Sequence, residues 1–169
     1  IKEASVVSMN LSQHLTHPVF KVAAEIVTAQ NLEAYVIGGY VRDLLLERPS
    51  KDIDIVVIGN GLQLAEECAA KLRVKKVSLF ENFGTAQFVY KDLDVEFVGA
   101  RKESYRADSR KPIVEDGTLK NDQDRRDFTI NALAISLHAS NFGELIDPFG
   151  GIEDLKNGVL RSPLEPGKT

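Results

Sequence analysis

The chain has 169 residues, 43% hydrophobic and 27% charged, which is the make-up of a globular domain large enough to bury its own core, and no apolar run approaches the roughly 20 residues that span a bilayer. A formal net charge of −4 argues against a free-standing nucleic-acid binder held by phosphate neutralisation, so an RNA substrate would have to be gripped mostly by something else. The single cysteine, Cys68, excludes an internal disulfide framework and fits a reducing, cytoplasmic setting, and with only three scattered histidines it makes no zinc site of ordinary spacing.

Residues Ile1 to Asn10 lack the basic start and long apolar stretch of a secretory signal. Val19, Val22, Ala23, Ile26 and Val27 then recur at helical spacing and predict a helix from about His17 to Gln30, with Pro18 in its first turn. Tyr35 to Ile37 is a short β-branched and aromatic run that ends in Gly38 and Gly39, after which Val41, Leu44 and Leu45 return to helical spacing up to about Glu47. A strand, a glycine turn and a helix start let backbone N–H groups approach an anion, and Arg42, one turn in, adds a forked donor suited to phosphate oxygens. Such a pair of glycines is also an ordinary turn.

Arg48, Pro49 and Ser50 end that helix, and Asp52 to Ile58 follows as a strand. Alternation places Ile53, Ile55 and Val57 on one face and Asp52 and Asp54 side by side on the other. Two carboxylates so close repel unless a cation sits between them, for which a divalent metal is the usual answer; a solvated strand edge is the plainer alternative. A phosphate cradle and a metal-binding pair joined by one helix point to chemistry on a nucleoside triphosphate. Gly59 to Gly61 turns into a helix ending near Leu72, whose face Leu62, Ala65, Cys68 and Ala69 makes Cys68 a buried small hydrophobe.

From there the period becomes two. Strands are expected over Val74 to Leu79, Thr85 to Tyr90, and Leu93 onward, where Asp94 and Glu96 point away from the apolar face; Asn82 to Gly84 and Lys91-Asp92 are the turns. By itself Glu96 reads as a solvated strand residue. Lys102 to Gln123 shows no sustained period and reads as a long loop, its first half made basic by Arg101, Arg106, Arg110 and Lys111. Asp127 or Thr129 can cap a short helix through Ala132, Leu133 to Leu137 alternates like a buried strand, Glu144 to Ile146 is a last strand, and Ile152 to Asn157 forms one or two helical turns stopped by Gly158.

Four stretches, in this order, strongly resemble the head domain shared by bacterial CCA-adding tRNA nucleotidyltransferases and bacterial poly(A) polymerases, of the DNA polymerase beta superfamily. They are Gly38-Gly39-Tyr40-Val41-Arg42-Asp43, Lys51-Asp52-Ile53-Asp54, Arg125-Arg126-Asp127 through Asn131, and Asp147 to Gly151. The resemblance implies that Glu96 joins Asp52 and Asp54 as catalytic carboxylates that hold two Mg²⁺ ions. It further implies that Gly38, Gly39 and Arg42 bind the nucleotide's phosphates, that Arg126 contacts the incoming nucleotide, and that Asp127 and Asn131 order the site around its sugar. It implies a mobile catalytic loop between Glu96 and the double arginine. The family's base-reading motif lies on a helical neck further on, so residues 1–147 are expected to be the head and 148–169 the start of a truncated neck.

The fold expected is α+β, a small mixed sheet of about five strands backed by helices with the site at one end. The function expected is transfer of CMP and AMP from CTP and ATP to a tRNA 3′ end. A poly(A) polymerase head, an idle nucleotide-binding module and a structural Ca²⁺ site are the alternatives; the last lacks an oxygen-rich loop.

Overall fold

The computed structural model describes residues 10–105 and 112–163. Arg106, Arg110 and Lys111 of the expected basic loop, residues 1–9 of the stretch expected to lack a secretory signal and residues 164–169 of the expected neck lie outside that description.

Helix α1 (Pro18–Ala29) carries Pro18 at its first position and turns Val19, Phe20, Ala23, Ile26 and Val27 inward. It leads to β1 (Glu33–Ile37), α2 (Gly39–Leu45), β2 (Asp52–Ile58) and α3 (Gly61–Lys71). Next come β3 (Ser78–Phe80), β4 (Thr85–Tyr90) and β5 (Leu93–Gly99). The chain closes with β6 (Arg101–Tyr105), β7 (Pro112–Asp116), α4 (Leu119–Asp124), β8 (Ala134–Ser136), β9 (Leu145–Ile146) and α5 (Gly151–Lys156).

The α+β class stands, with seven strands in the main sheet, against the five or so expected, in the order β3-β4-β5-β2-β1-β8-β9. Only β2 and β5 run parallel; every other neighbouring pair is antiparallel. One face of the sheet is packed by α1 and α3, and there Ile53, Ile55, Val95 and Phe97 meet Phe20, Leu64 and Cys68. Full burial of each large apolar side chain contributes about 1.5–3 kcal/mol, which is what fixes the register of β2 and leaves its aspartates on the opposite face. Burial also pushes the Cys68 thiol up to about 12, as suits a small hydrophobe.

The start of α3 is pressed against the end of β5. A Cβ on Gly61 would stand 2.8 Å from the Gly99 nitrogen, and one on Gly99 would stand 2.8 Å from the Gly59 carbonyl oxygen. Glycine at both positions therefore sets how closely the helix crosses the strand. Asn60 caps the same end by accepting from the Gln63 N–H at 3.1 Å.

Three local expectations change. The strand expected from Val74 begins only at Ser78, because β3 pairs solely with Thr85 to Gln87 while Val74 and Val77 pack against the core. The loop expected over Lys102 to Gln123 holds two elements: β6 and β7 form a ribbon, and α4 starts at a capping box between Thr118 and Asn121. A two-stranded ribbon satisfies its backbone internally and so needs no apolar period, and asparagine stands in that capping box where glutamate or glutamine is usual. Finally, neither Asp127 nor Thr129 caps a helix: residues Thr129–Asn131 form a single 3₁₀ turn after Phe128, with no side-chain cap.

Candidate active site

The carboxylates come from neighbouring parallel strands. Asp54 is in register with Glu96, and Asp52 with Asp94, so all four project from the face opposite the helices. Asp52 is exposed and Asp54 and Glu96 are half-buried. Burial raises the Asp54 carboxyl above its ordinary value, Glu96 pushes it further, Arg126 opposes this, and Asp52 and Asp122 add to the rise. The donor set is entirely carboxylate oxygen, which suits a hard divalent cation. Among the described residues no group of three or more His, Cys, Asp or Glu is gathered into a ready-made ligand cluster. Asp52, Asp54 and Glu96 are thus neighbours on one face rather than a closed cage.

Beside them stands the glycine turn. Gly38 has φ +82°, a conformation that side chains rarely adopt, and a Cβ there would lie 3.1 Å from Arg126 Nη1 and 3.8 Å from Asp54 Oδ2. Helix α2 is only seven residues long and is held from below: Val41 is fully buried, and the Tyr40 ring packs on Phe20 with centroids 5.3 Å apart. Arg42 folds back over its own helix start, with Nη2 3.3 Å from where a Gly39 Cβ would be. Its Nη1 donates to Asn131 Oδ1 at 2.9 Å and its Nε to Asp43 Oδ1 at 3.2 Å. The predicted residues Arg42 and Asn131, 89 positions apart in the chain, are therefore direct partners.

The two arginines follow α4 and share one buried acid. Asp122, with no exposed surface, accepts from Arg125 Nη2 at 2.6 Å and from Arg126 Nε at 2.9 Å. Arg125 is 56% exposed and Arg126 only 19%, so the second arginine is the one held inside the site. Asp127 is exposed at the rim. Sequence reasoning passed over Asp122, which lay in the expected loop, although its spacing of three and four residues from the arginines is that of helical ion pairs. It also passed over Gln123, which is buried and donates Nε2 to the Ala132 carbonyl at 2.8 Å, tying α4 to the segment just before β8. Thr129 uses its hydroxyl to donate to buried Asp154 Oδ2 on α5. The start of α5 is in turn capped by Asp147, which accepts from the Gly151 and Ile152 N–H groups.

Two clefts result, one on each side of the carboxylates. Gly39, Arg42, Arg125, Arg126, Asp127 and Asn131 line an open cleft of about 400 Å³ on the β1 side. Asp52, Asp54 and Glu96 line a larger groove of about 1020 Å³ that runs toward β4. The ideal Cβ position of Gly38 is close to one lining residue of each, Arg126 and Asp54. A cleft of arginine and amide donors next to a crowded set of carboxylates can take a polyanion on one side and metal-bound oxygens between.

Residues 34–161 match the family model described as Poly A polymerase head domain. The chain is 48% identical over 130 residues to an A-adding tRNA nucleotidyltransferase of Aquifex aeolicus, a match that covers 77% of this chain and 16% of that protein. A solved tRNA nucleotidyltransferase complexed with a primer tRNA and an incoming ATP analogue superposes with a TM-score of 0.73 at 42% identity, covering 84% of this chain and 39% of that one. A CCA-adding enzyme in its apo form II gives 0.80 at 39% identity, covering 94% and 39%. The chain therefore spans well under half the length of these relatives.

Proposed function

This chain belongs to the Poly A polymerase head-domain family, and on that premise we propose that it is the catalytic head of an enzyme that adds CMP and AMP from CTP and ATP to a tRNA 3′ end. In this reading residues 1–147 are the head and 148–169 lead into a neck. The observation that supports it most is the meeting at Gly38 of a guanidinium and a carboxylate, Arg126 Nη1 and Asp54 Oδ2, from two distant stretches of chain. A nucleoside triphosphate lying across that point would have phosphates on the donors and its reacting α-phosphorus near the carboxylates.

Gly39 and Arg42 would orient the triphosphate, Arg126 would fix the nucleotide, and Asn131 and Asp127 would order the site around the sugar. Asn131 does this partly by holding Arg42 in place. Asp52, Asp54 and Glu96 would hold two Mg²⁺ ions. When bound, such ions lower the pKa of the attacking hydroxyl and neutralise charge on the leaving group. The RNA 3′ oxygen forms a bond to the α-phosphorus, the bond to the β-phosphate oxygen breaks, pyrophosphate leaves, and the hydroxyl proton passes to solvent. No covalent enzyme intermediate is required.

Similarity to an A-adding enzyme supports a second reading, in which AMP alone is added. Titration of this chain with Mg²⁺, with and without ATP, tests the core of both. Metal binding that strengthens in the presence of ATP is expected, and Asp52→Asn should remove it. Metal affinity indifferent to ATP would overturn the assignment.

A further inference from the structure

Helix α4 is six residues long, too short to hold its shape in water without outside contacts, so whatever seats it decides where the arginines that follow it point. Leu119 and Gln123 are four apart and share the stripe of α4 that faces the sheet. Leu119 packs on the cluster formed by Tyr35, Ile37, Val56, Ala100 and Ala134. One turn later the stripe meets backbone instead of side chains. Ala132 lies after the last residue of the 3₁₀ turn and before the first of β8, and its buried carbonyl needs a donor. Gln123, only 2% exposed, supplies Nε2 at 2.8 Å and also reaches the Ile146 carbonyl of β9 at 3.4 Å. A leucine at this position would fill the space and leave the Ala132 carbonyl without that donor.

Three consecutive residues hold three sides of the cleft that Arg42 and Arg126 line. Asn131 Oδ1 accepts from Arg42 Nη1 at 2.9 Å. The Ala132 carbonyl accepts from Gln123, whose neighbour Asp122 holds Arg126 Nε at 2.9 Å. The Leu133 carbonyl accepts the Gly38 N–H at 3.3 Å. Arg42 and Arg126 are therefore both anchored to one short segment, the first through an asparagine side chain and the second through α4 and the Gln123 amide. We propose that Gln123 is a positioning residue of this cleft: its amide sets the span between the two guanidinium groups, which suits the cleft to a ligand long enough to touch both, a nucleoside triphosphate rather than a monophosphate. The proposal rests on the nucleotidyl-transfer reading for the identity of that ligand. Without the amide each arginine keeps its own partner, Asn131 or Asp122, but one side of the cleft drifts against the other. Two donors act jointly on one ligand only when their spacing is fixed beforehand, so a bridging ligand loses affinity to that drift and a ligand on a single arginine does not.

The test compares this chain with Gln123→Met, which is close in volume and cannot donate, at a temperature where unfolding curves show both fully folded. Mg·ATP affinity by calorimetry should fall about tenfold, while affinity for AMP, followed by NMR at high ligand concentration, should change by less than about twofold. Without ligand, the NMR signals of Arg126 Nε–H and of the Asn131 side chain should both move in the variant, because the two sides of the cleft shift against each other. A purely structural glutamine would lower the unfolding midpoint and leave both signals and both affinities in place. Mg·ATP affinity within about twofold of the parent, an equal loss for AMP, or unmoved Arg126 and Asn131 signals would each overturn the positioning role. In the parent chain the Gln123 Nε2 protons should exchange with water more slowly when Mg·ATP is bound, and equal rates would overturn the role even if the variant failed to fold. A parent chain that binds no Mg·ATP would overturn the nucleotidyl-transfer reading instead, and the Arg126 and Asn131 signals would then decide the positioning role by themselves.

Discussion

Arg126 donates its Nε to the fully buried Asp122 at 2.9 Å, and this contact points the other end of its guanidinium at Gly38. Asp122 itself reaches no cleft. It acts on the site by fixing the direction of an arginine that does. Asp122→Ala should cost about 2 kcal/mol in urea unfolding, the scale of lost hydrogen bonds to charged groups. It should also weaken Mg·ATP binding, while Asp122→Asn, which keeps one acceptor, should lose less of both. Wild-type stability and affinity in the alanine variant would remove Asp122 from this role.

Gly38→Ala adds a methyl group 3.1 Å from Arg126 Nη1 at φ +82°. Backbone strain of that type costs about 1–3 kcal/mol, and the guanidinium must also shift. The expected result is a less stable protein whose nucleotide binding falls further than stability alone explains. Denaturant unfolding and calorimetric titration on the same preparation separate the two effects.

The raised pKa of Asp54 gives a prediction with a definite sign. Between its ordinary value and the raised one, the folded chain binds more protons than the unfolded chain, so stability falls as pH rises through that window. Above the window the cost is fully present. Asp54→Asn should therefore melt at the same temperature as the parent or higher at neutral pH, with the advantage shrinking as pH drops below the carboxylate range. A variant less stable than the parent at neutral pH would mean that attraction to Arg126 outweighs burial and Glu96.

Arg42→Lys keeps the charge and loses the planar fork that spans Asn131 and Asp43. Binding of ATP and CTP should weaken alike in the presence of Mg²⁺. Loss confined to one of the two would place Arg42 against the base.

In the proposed reading the groups gathered around Gly38 would face parts common to all nucleotides, so the chain alone should bind ATP, CTP, GTP and UTP with similar, weak affinity. Calorimetric titrations of the four decide this. A tenfold preference, about 1.4 kcal/mol, would mean that the head itself reads bases.

Much of this was legible in the chain because it depends on local spacing. Alternation alone put Asp52 and Asp54 opposite Ile53, Ile55 and Val57, and β2 follows that division over its first half, whereas Val56, further along the aspartate face, is buried in a second cluster with Tyr35 and Ile37. The glycine pair marked the turn before α2, and helical periodicity marked α1 and α3, since burying one stripe of a helix leaves a repeat in the sequence. The family resemblance, which the match over residues 34–161 bears out, added Glu96, Arg126, Asp127 and Asn131 as candidates that spacing could not supply.

What the chain's order could not convey is which distant residues complete one another. The parallel pairing of β2 with β5 sets Glu96 beside Asp54, and the return of β8 along β1 brings Asn131 to Arg42. Neither pairing has a period, because each is settled by which strands the two packed helices leave adjacent. The ribbon of β6 and β7 was missed for a related reason: its strands satisfy each other and leave no apolar stripe. Asp122 was missed because a buried acid in a polar stretch looks like any solvated one until two arginines close over it. Sequence by itself determined the faces and the turns, since these follow from side-chain alternation and backbone freedom; only the tertiary structure decided the partners, since long-range contacts exist only once the core has packed.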